Sequence, residues 1–253
     1  MRDFMYHFFV EPSQIDVEGR RVVITGGDVN HIVNVLRMKQ GEELAVSNGA
    51  DGKEYRCEVQ TFDEEQVICV LRFIKEDGVE LPARVRLFQA LPKADKMELI
   101  IQKAVELGVY EIIPVASGRC VVKLDDKKEK SKSARWNAIA QAAAKQSRRA
   151  VIPKVGSVVR FSEAVKMAAA ADVKMIPYEL AEDMGRTREL IDQIRPGEEI
   201  AVMIGPEGGF EETEIKQAEA AGIVPITLGR RILRTETAGM TVMAWLMYHL
   251  EMI

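Results

Sequence analysis

The spacing of apolar residues changes near residue 80. Before it, residues 20–24, 43–47, 54–59 and 66–73 are short β-branched or alternating runs, the period of half-buried strands. Asn48-Gly49 and Asp51-Gly52 mark a tight turn between two of them. A small β-barrel is predicted, with one short helix inserted after Asp28 as N-cap and stopping before Gly41. From residue 85 onward strands and helices alternate: strands at 85–90, 112–115, near 151–155, 173–177, 200–204 and 224–228, helices at 95–107, 133–148, 162–171, 186–194, 211–221 and from about 236. That alternation predicts an α/β domain with a mostly parallel sheet covered on both faces. Glu76-Asp77-Gly78 followed by Pro82 is the expected linker, giving a barrel over 1–75 and an α/β domain over 80–253.

Two glycine-containing turns each end an apolar run and open a helical one: Met203-Ile-Gly-Pro-Glu-Gly-Gly-Phe210 and Leu228-Gly-Arg-Arg-Ile-Leu-Arg-Thr-Glu-Thr-Ala238. In an open α/β sheet, ligands gather beyond the carboxyl ends of the strands, so both turns are expected to face one crevice. The first has neither the G-x-G-x-x-G spacing of a dinucleotide turn nor the Lys-Ser/Thr of a mononucleotide P-loop. Glu207, Glu211, Glu212 and Glu214 would repel a polyphosphate at a helix start. A ligand without phosphates is favoured, and S-adenosylmethionine fits: backbone groups exposed at glycines can hold its adenine, and its sulfonium and amine are cations. Glu211, Glu212 and Glu214 read more simply as complements to the dipole of a surface helix.

At these residues the chain resembles the SPOUT-class RNA methyltransferases, and within them the family that methylates N3 of a uridine in small-subunit (16S) ribosomal RNA. The likeness extends to His31-Ile-Val-Asn-Val-Leu-Arg-Met38, Leu91-Pro-Lys93, Asp95-Lys-Met-Glu98, Gln102-Lys103, Glu106-Leu-Gly108, Ser117, Arg119, Val122-Lys123, Trp136, Gln146, Arg149 and Pro153, which spans nearly the whole chain in order. Departures are Arg230 for the usual Pro, Ala150 for Asn, Ala94 for Gly, and Gly118 where an acidic residue is common. They bear on the shape of the cofactor loop and on one RNA contact. The resemblance implies a PUA-like amino-terminal barrel that binds RNA, a SPOUT domain with a carboxyl-terminal trefoil knot, and a homodimer. Two rivals stay open: methylation of another RNA position such as a ribose 2′-hydroxyl, and a non-catalytic RNA-binding assembly factor.

Composition is compatible with such an enzyme. The 253 residues, 47% apolar and 29% charged, can bury a full core. No run approaches the roughly 18 apolar residues of a membrane helix and no basic-then-apolar leader is visible, so a cytoplasmic protein is expected. Cys57, Cys69 and Cys120 and the scattered His7, His31 and His249 suggest reduced structural thiols and no metal. The net charge of −4 hides a segregation: residues 119–154 hold eleven Lys and Arg against three acids, a net +8 that points to a polyanion partner. Lys127 to Lys132 fit a solvated loop equally well. Arg119, Lys123 and Arg149 are the expected RNA contacts, with Arg37 and Lys39 at the end of the barrel's helix.

Site roles follow from the chemistry and the resemblance together. Methylating uridine N3 requires loss of its proton, which a cation near the developing charge on O2 and O4 makes easier. Arg234 is the first choice for that cation, and Glu236 or Glu207 could orient it or accept the proton; a plain Arg234–Glu236 ion pair is an equal alternative. Backbone at Ile204, Gly205 and Gly209, with Leu228, Gly229 and Leu233, is expected to wall the adenosine of S-adenosylmethionine, and Pro177, Tyr178 and Glu179 to form a third wall. Thr235 or Thr237 is expected to cap the last helix. That helix is apolar around nearly its whole circumference, which suggests burial against a second copy.

Overall fold

In the computed structural model, residues 5–76, 78–122, 124–181 and 183–252 are described. The chain divides into two compact units, Met1–Glu80 with Ala144–Ile152, and Leu81–Ala143 with Pro153–Ile253.

The first unit is one sheet of six strands: β1 (His7–Phe9), β2 (Ile15–Asp16), β3 (Arg21–Thr25), β4 (Glu43–Ser47), β5 (Glu54–Phe62) and β6 (Gln66–Lys75). Their order is β1-β4-β5-β6-β3-β2, antiparallel except for the parallel β1–β4 pair. The end strands β1 and β2 are not partners, so the sheet is a curled half-barrel rather than a closed one. Two register shifts between β5 and β6 sharpen its twist. Alternate residues point inward, and Val22, Ile24, Leu44, Val59 and Val67 are at most 1% exposed. Burial pushes the thiols of Cys57 and Cys69 up to about 12, which keeps them protonated and inert.

The inserted helix departs from expectation. α1 (Gly27–Asn30) has Gly26, not Asp28, as its N-cap and widens into a π turn over His31–Val35. Asp28 instead takes the Nζ of Lys145 at 2.9 Å. Residues 144–152 join this unit by more than that pair. Arg149 is only 3% exposed, with its guanidinium on the carboxylate of Glu80. Glu80 also accepts the Val151 N–H, and Val151 bridges to Gly49. Arg149, an expected RNA contact, is thus buried against a carboxylate, and drawing it to a phosphate would leave Glu80 uncompensated.

The second unit holds β7 (Arg84–Ala90), α2 (Lys96–Glu106), β8 (Glu111–Ala116), α3 (Asp126–Gln146), β9 (Lys154–Val155), β10 (Val159–Arg160), α4 (Phe161–Ala169), β11 (Val173–Pro177), α5 (Met184–Asp192), β12 (Glu199–Ile204), α6 (Glu212–Ala220), β13 (Val224–Ile226) and α7 (Thr235–Glu251), the end of α3 running into the first unit. The sheet is parallel throughout, in the order β10-β8-β7-β12-β11-β13, with β9 beside β8. β12 lies between β7 and β11, and Ile200–Ile204 are all at most 1% exposed, as a strand covered on both faces requires. α3 starts seven residues before the expected 133, taking in most of the segment 125–133. Lys and Glu are good helix formers, and Asp125 accepts the Lys128 N–H at 2.8 Å at the start of the helix. Among the described residues no helix is long and apolar enough to cross a membrane.

Ala94, between β7 and α2, has φ = 53°. That left-handed conformation costs an L residue about 1–2 kcal/mol, and glycine adopts it freely. Ala94→Gly is expected to raise stability by about 0.5–1 kcal/mol after the entropy of the extra glycine is subtracted, read as a higher denaturant midpoint with unchanged slope.

Candidate active site

β11, β12 and β13 end side by side, and the loops that leave them enclose a cleft of ≈ 180 Å³. Pro177, Tyr178 and Glu179 line it from β11, Ile204, Gly205 and Gly209 from the turn after β12, and Leu228, Gly229 and Leu233 from the loop after β13. All nine residues expected to wall a cofactor thus share one cavity. Glycine is required at 205 because a Cβ there would meet the backbone of Gly209 at 3.2 Å, and at 209 because φ is +66°.

What fixes these loops is a set of side chains of which the sequence singled out only Thr235, and that as a helix cap. Thr235, the first residue of α7 and 5% exposed, donates its hydroxyl to the Gly205 carbonyl at 2.6 Å and accepts from Gln89 Nε2 at 3.0 Å. Gln89 lies on β7 opposite Ile204 and also donates to the Ala90 carbonyl. The helix N-cap is the extended Arg234, so neither Thr235 nor Thr237 caps it; the Thr235 hydroxyl is used on the neighbouring turn instead. The Thr187 hydroxyl accepts the Thr227 N–H and donates to the Thr227 carbonyl, while Thr227 Oγ1 accepts the Gly229 N–H.

A cluster of charged groups reaches the cleft at Glu207, which lines it, whereas Lys96, Arg234 and Glu236 are not among the lining residues. Lys96 Nζ lies 2.8 Å from Glu207 Oε1 and 3.7 Å from Glu236 Oε2. Glu207 Oε1 also accepts the Lys93 N–H at 3.0 Å. Desolvation pushes the Glu207 carboxyl up, but the bond from Lys96, the N–H groups of Glu207 and Lys93 and the Lys96 charge outweigh it and hold the group below the usual carboxylate range. The Glu207 bond in turn raises the Lys96 ammonium above its usual value, against desolvation and the nearby Arg234. The structure thus joins Glu207 and Glu236 through Lys96, a residue given no role from the sequence. Arg234 is exposed and forms no ion pair among the described residues, so the alternative of an Arg234–Glu236 pair does not hold.

The acidic start of α6 also differs from expectation. Glu212 pairs with Lys216 on the surface, but Glu214 is 8% exposed and accepts the N–H groups of Glu211 and Gly118. A Cβ at Gly118 would meet the Glu211 carboxylate at 2.7 Å, so a side chain there requires Glu211 to move. Arg119 donates to the Gly208 carbonyl at 2.7 Å, tying the loop after β8 to the cofactor turn. Arg37 and Lys39 are exposed on the first unit, and Lys123 lies outside the described residues. Among the described residues no group of His, Cys, Asp and Glu could hold a metal ion.

A parallel α/β sheet with a cleft beyond the carboxyl ends of its strands is the arrangement of a ligand-binding domain, and comparison makes the class specific. Residues 79–247 match the RNA methyltransferase domain, and residues 24–72 the RNA methyltransferase PUA domain. The chain is 36% identical over 253 residues to ribosomal RNA small subunit methyltransferase E of Bacillus subtilis, covering 98% of both chains. It is 35% identical to the protein of the same name from Mesomycoplasma hyopneumoniae, over 92% of this chain and 95% of that one. The crystal structure of ribosomal RNA small subunit methyltransferase E from Neisseria gonorrhoeae bound to S-adenosyl methionine superposes with a TM-score of 0.80 at 32% identity, over 95% of each chain. The chain belongs to the RNA methyltransferase family.

Thr235→Val keeps the shape and removes the hydroxyl, which leaves the Gly205 carbonyl without its donor. A loss of about 1–3 kcal/mol is expected in denaturant unfolding, with Thr235→Ser close to wild type.

Proposed function

We propose that this chain methylates N3 of a uridine in small-subunit (16S) ribosomal RNA with S-adenosylmethionine as donor, and that it is of the SPOUT class, the loops after β12 and β13 forming its trefoil knot. The observation that carries this reading is the cleft itself: backbone at Gly205, Gly209 and Gly229 and apolar walls from Ile204, Leu228 and Leu233 suit an adenosine, and the ionised Glu207 suits a cationic ligand. When bound, S-adenosylmethionine supplies an electrophilic methyl group. The protein's task is then to align the nucleophile and remove its proton. Arg234, free of a carboxylate partner, is the cation for the charge that develops on the uracil oxygens. The half-barrel unit, with exposed Arg37 and Lys39, and Arg119 beside the cofactor turn supply phosphate contacts. Such a substrate places the work in the cytoplasm.

Incubation of small-subunit RNA and of assembled subunits with enzyme and labelled cofactor, followed by nucleoside mass spectrometry, is expected to give 3-methyluridine; 2′-O-methylation or no product would overturn the reading. Arg234→Ala is expected to lower the rate by about 10²–10³ while cofactor affinity hardly changes.

We also propose a twofold homodimer through α7. Val242, Met243, Leu246 and Leu250 are buried within the unit, whereas Met240, Trp245 and Met247 are half-buried and Tyr248 is 69% exposed. An apolar row left open on a helix is the pattern of a self-association face. Light scattering is expected to give twice the 28.3 kDa of one chain at micromolar concentration; one chain's mass throughout would exclude the dimer.

A further inference from the structure

Three loops of the second unit bring their charges to one point. Lys96 comes from the first turn of α2, Glu207 from the turn after β12, and Glu236 from the first turn of α7. The two carboxylates are not equivalent. Glu207 Oε1 is filled by the Lys96 ammonium and the Lys93 N–H. Glu236 has no hydrogen-bond donor: its Oε2 is sealed from water and 3.7 Å from Lys96 Nζ, beyond hydrogen-bond range, which leaves Oε1 as the oxygen that reaches solvent. Its side chain as a whole is 16% exposed. The charged group placed against this carboxylate is Lys96 on α2, which itself feels Glu207 on the turn after β12 and Arg234 at the start of α7.

We propose that Lys96 is a positioning residue of the methyl-transfer site: its ammonium fastens Glu207 to the cofactor turn and, from the Oε2 side, holds the Glu236 carboxylate in place so that Oε1 takes the proton from the substrate base. This rests on the uridine-N3 reading above. In the step it supports, the N3 proton passes to Glu236 Oε1, the N3 electron pair forms the bond to the methyl carbon, and the carbon–sulfur pair departs with sulfur as a neutral thioether. Lys96 touches none of the reacting atoms. It supplies the positive charge beside the buried Oε2, which a neutral side chain of the same length cannot do. Glu207 differs from Glu236 in that its Oε1 is already taken by two donors.

The test is Lys96→Met, with Lys96→Gln as a second neutral variant should the first not fold, and Lys96→Arg as the conservative one. Cofactor affinity by calorimetry is expected to stay within about threefold of wild type while kcat falls about 10–100-fold. The acid limb of the kcat–pH profile is expected to move to higher pH, and Lys96→Arg to restore both rate and profile. A second readout needs neither cofactor nor RNA: in carboxyl NMR titration of the free protein, Glu207 is expected to titrate below the ordinary range in wild type and to move up in Lys96→Met. A reduced kcat with an unmoved acid limb would make Lys96 merely structural, and an equal loss of cofactor affinity would make it part of the cofactor wall; either overturns the proposal. Absence of 3-methyluridine from wild-type reactions would instead sink the functional reading, and the NMR titration would still decide whether Lys96 governs Glu207.

Discussion

The Gly205 carbonyl is the first acceptor past the end of a buried strand, and without a partner it would cost about 1–3 kcal/mol. The Thr235 hydroxyl supplies that partner, and because a hydroxyl has one proton the direction of the contact is forced. Its proton goes to Gly205, so its lone pair must take a donor, and Gln89 Nε2 provides it from the adjacent strand. One small side chain therefore locks the end of β12 to the start of α7 and to β7. The glycine turn at 205–209 and the loop leading into Arg234 are far apart in sequence, yet neither can shift without breaking a buried contact. The cleft owes its shape to this lock more than to the residues that line it.

Charge is arranged around the same frame. A carboxylate in a cofactor turn is ordinarily a candidate base, but Glu207 is bound by two donors and acts as a strut between the turn and α2. Since its folded value is depressed, the stabilisation from this contact is complete above the ordinary carboxylate value and fades as pH falls through the depressed one. Lys96 behaves oppositely: its raised value means its share is complete below the ordinary lysine range and is lost only as pH rises through the higher one. Between these limits the pair is intact, and the acidic lip facing the cleft keeps its charge.

Much of this was legible in the sequence, for identifiable reasons. β12 read correctly because a strand buried on both faces is a continuous apolar run, and the ends of α2 and α6 because glycines at positive φ follow them. β1 and β2 were missed: two- and three-residue edge strands carry no period to detect. α3 was cut short because a Lys-rich segment looks like a loop when only its polarity is weighed. The nine cleft residues were found through the glycine turns and the family likeness. Gln89, Thr187 and Thr227 were not, since a polar residue inside an apolar strand or helix gives no local sign of the partner it will meet across the fold.

The basic segment shows the same gap between composition and structure. Of the cations in 119–154, Arg149 is buried on Glu80, Lys145 is on Asp28, Arg135 on Glu98, Lys128 on Asp125, and Arg119 on the Gly208 carbonyl. These engagements are not equal. The exposed pairs at Arg135 and Lys128 are worth only about 0–1 kcal/mol each, so a phosphate can take the cation at little cost. Arg149 cannot be drawn away without stranding Glu80. A formal excess of positive charge therefore overstates what a polyanion meets, and the cations that count are those whose present partners are weakly held. Arg119 differs from the rest because its partner is the cofactor turn itself, so a phosphate that took its guanidinium would also release the Gly208 carbonyl.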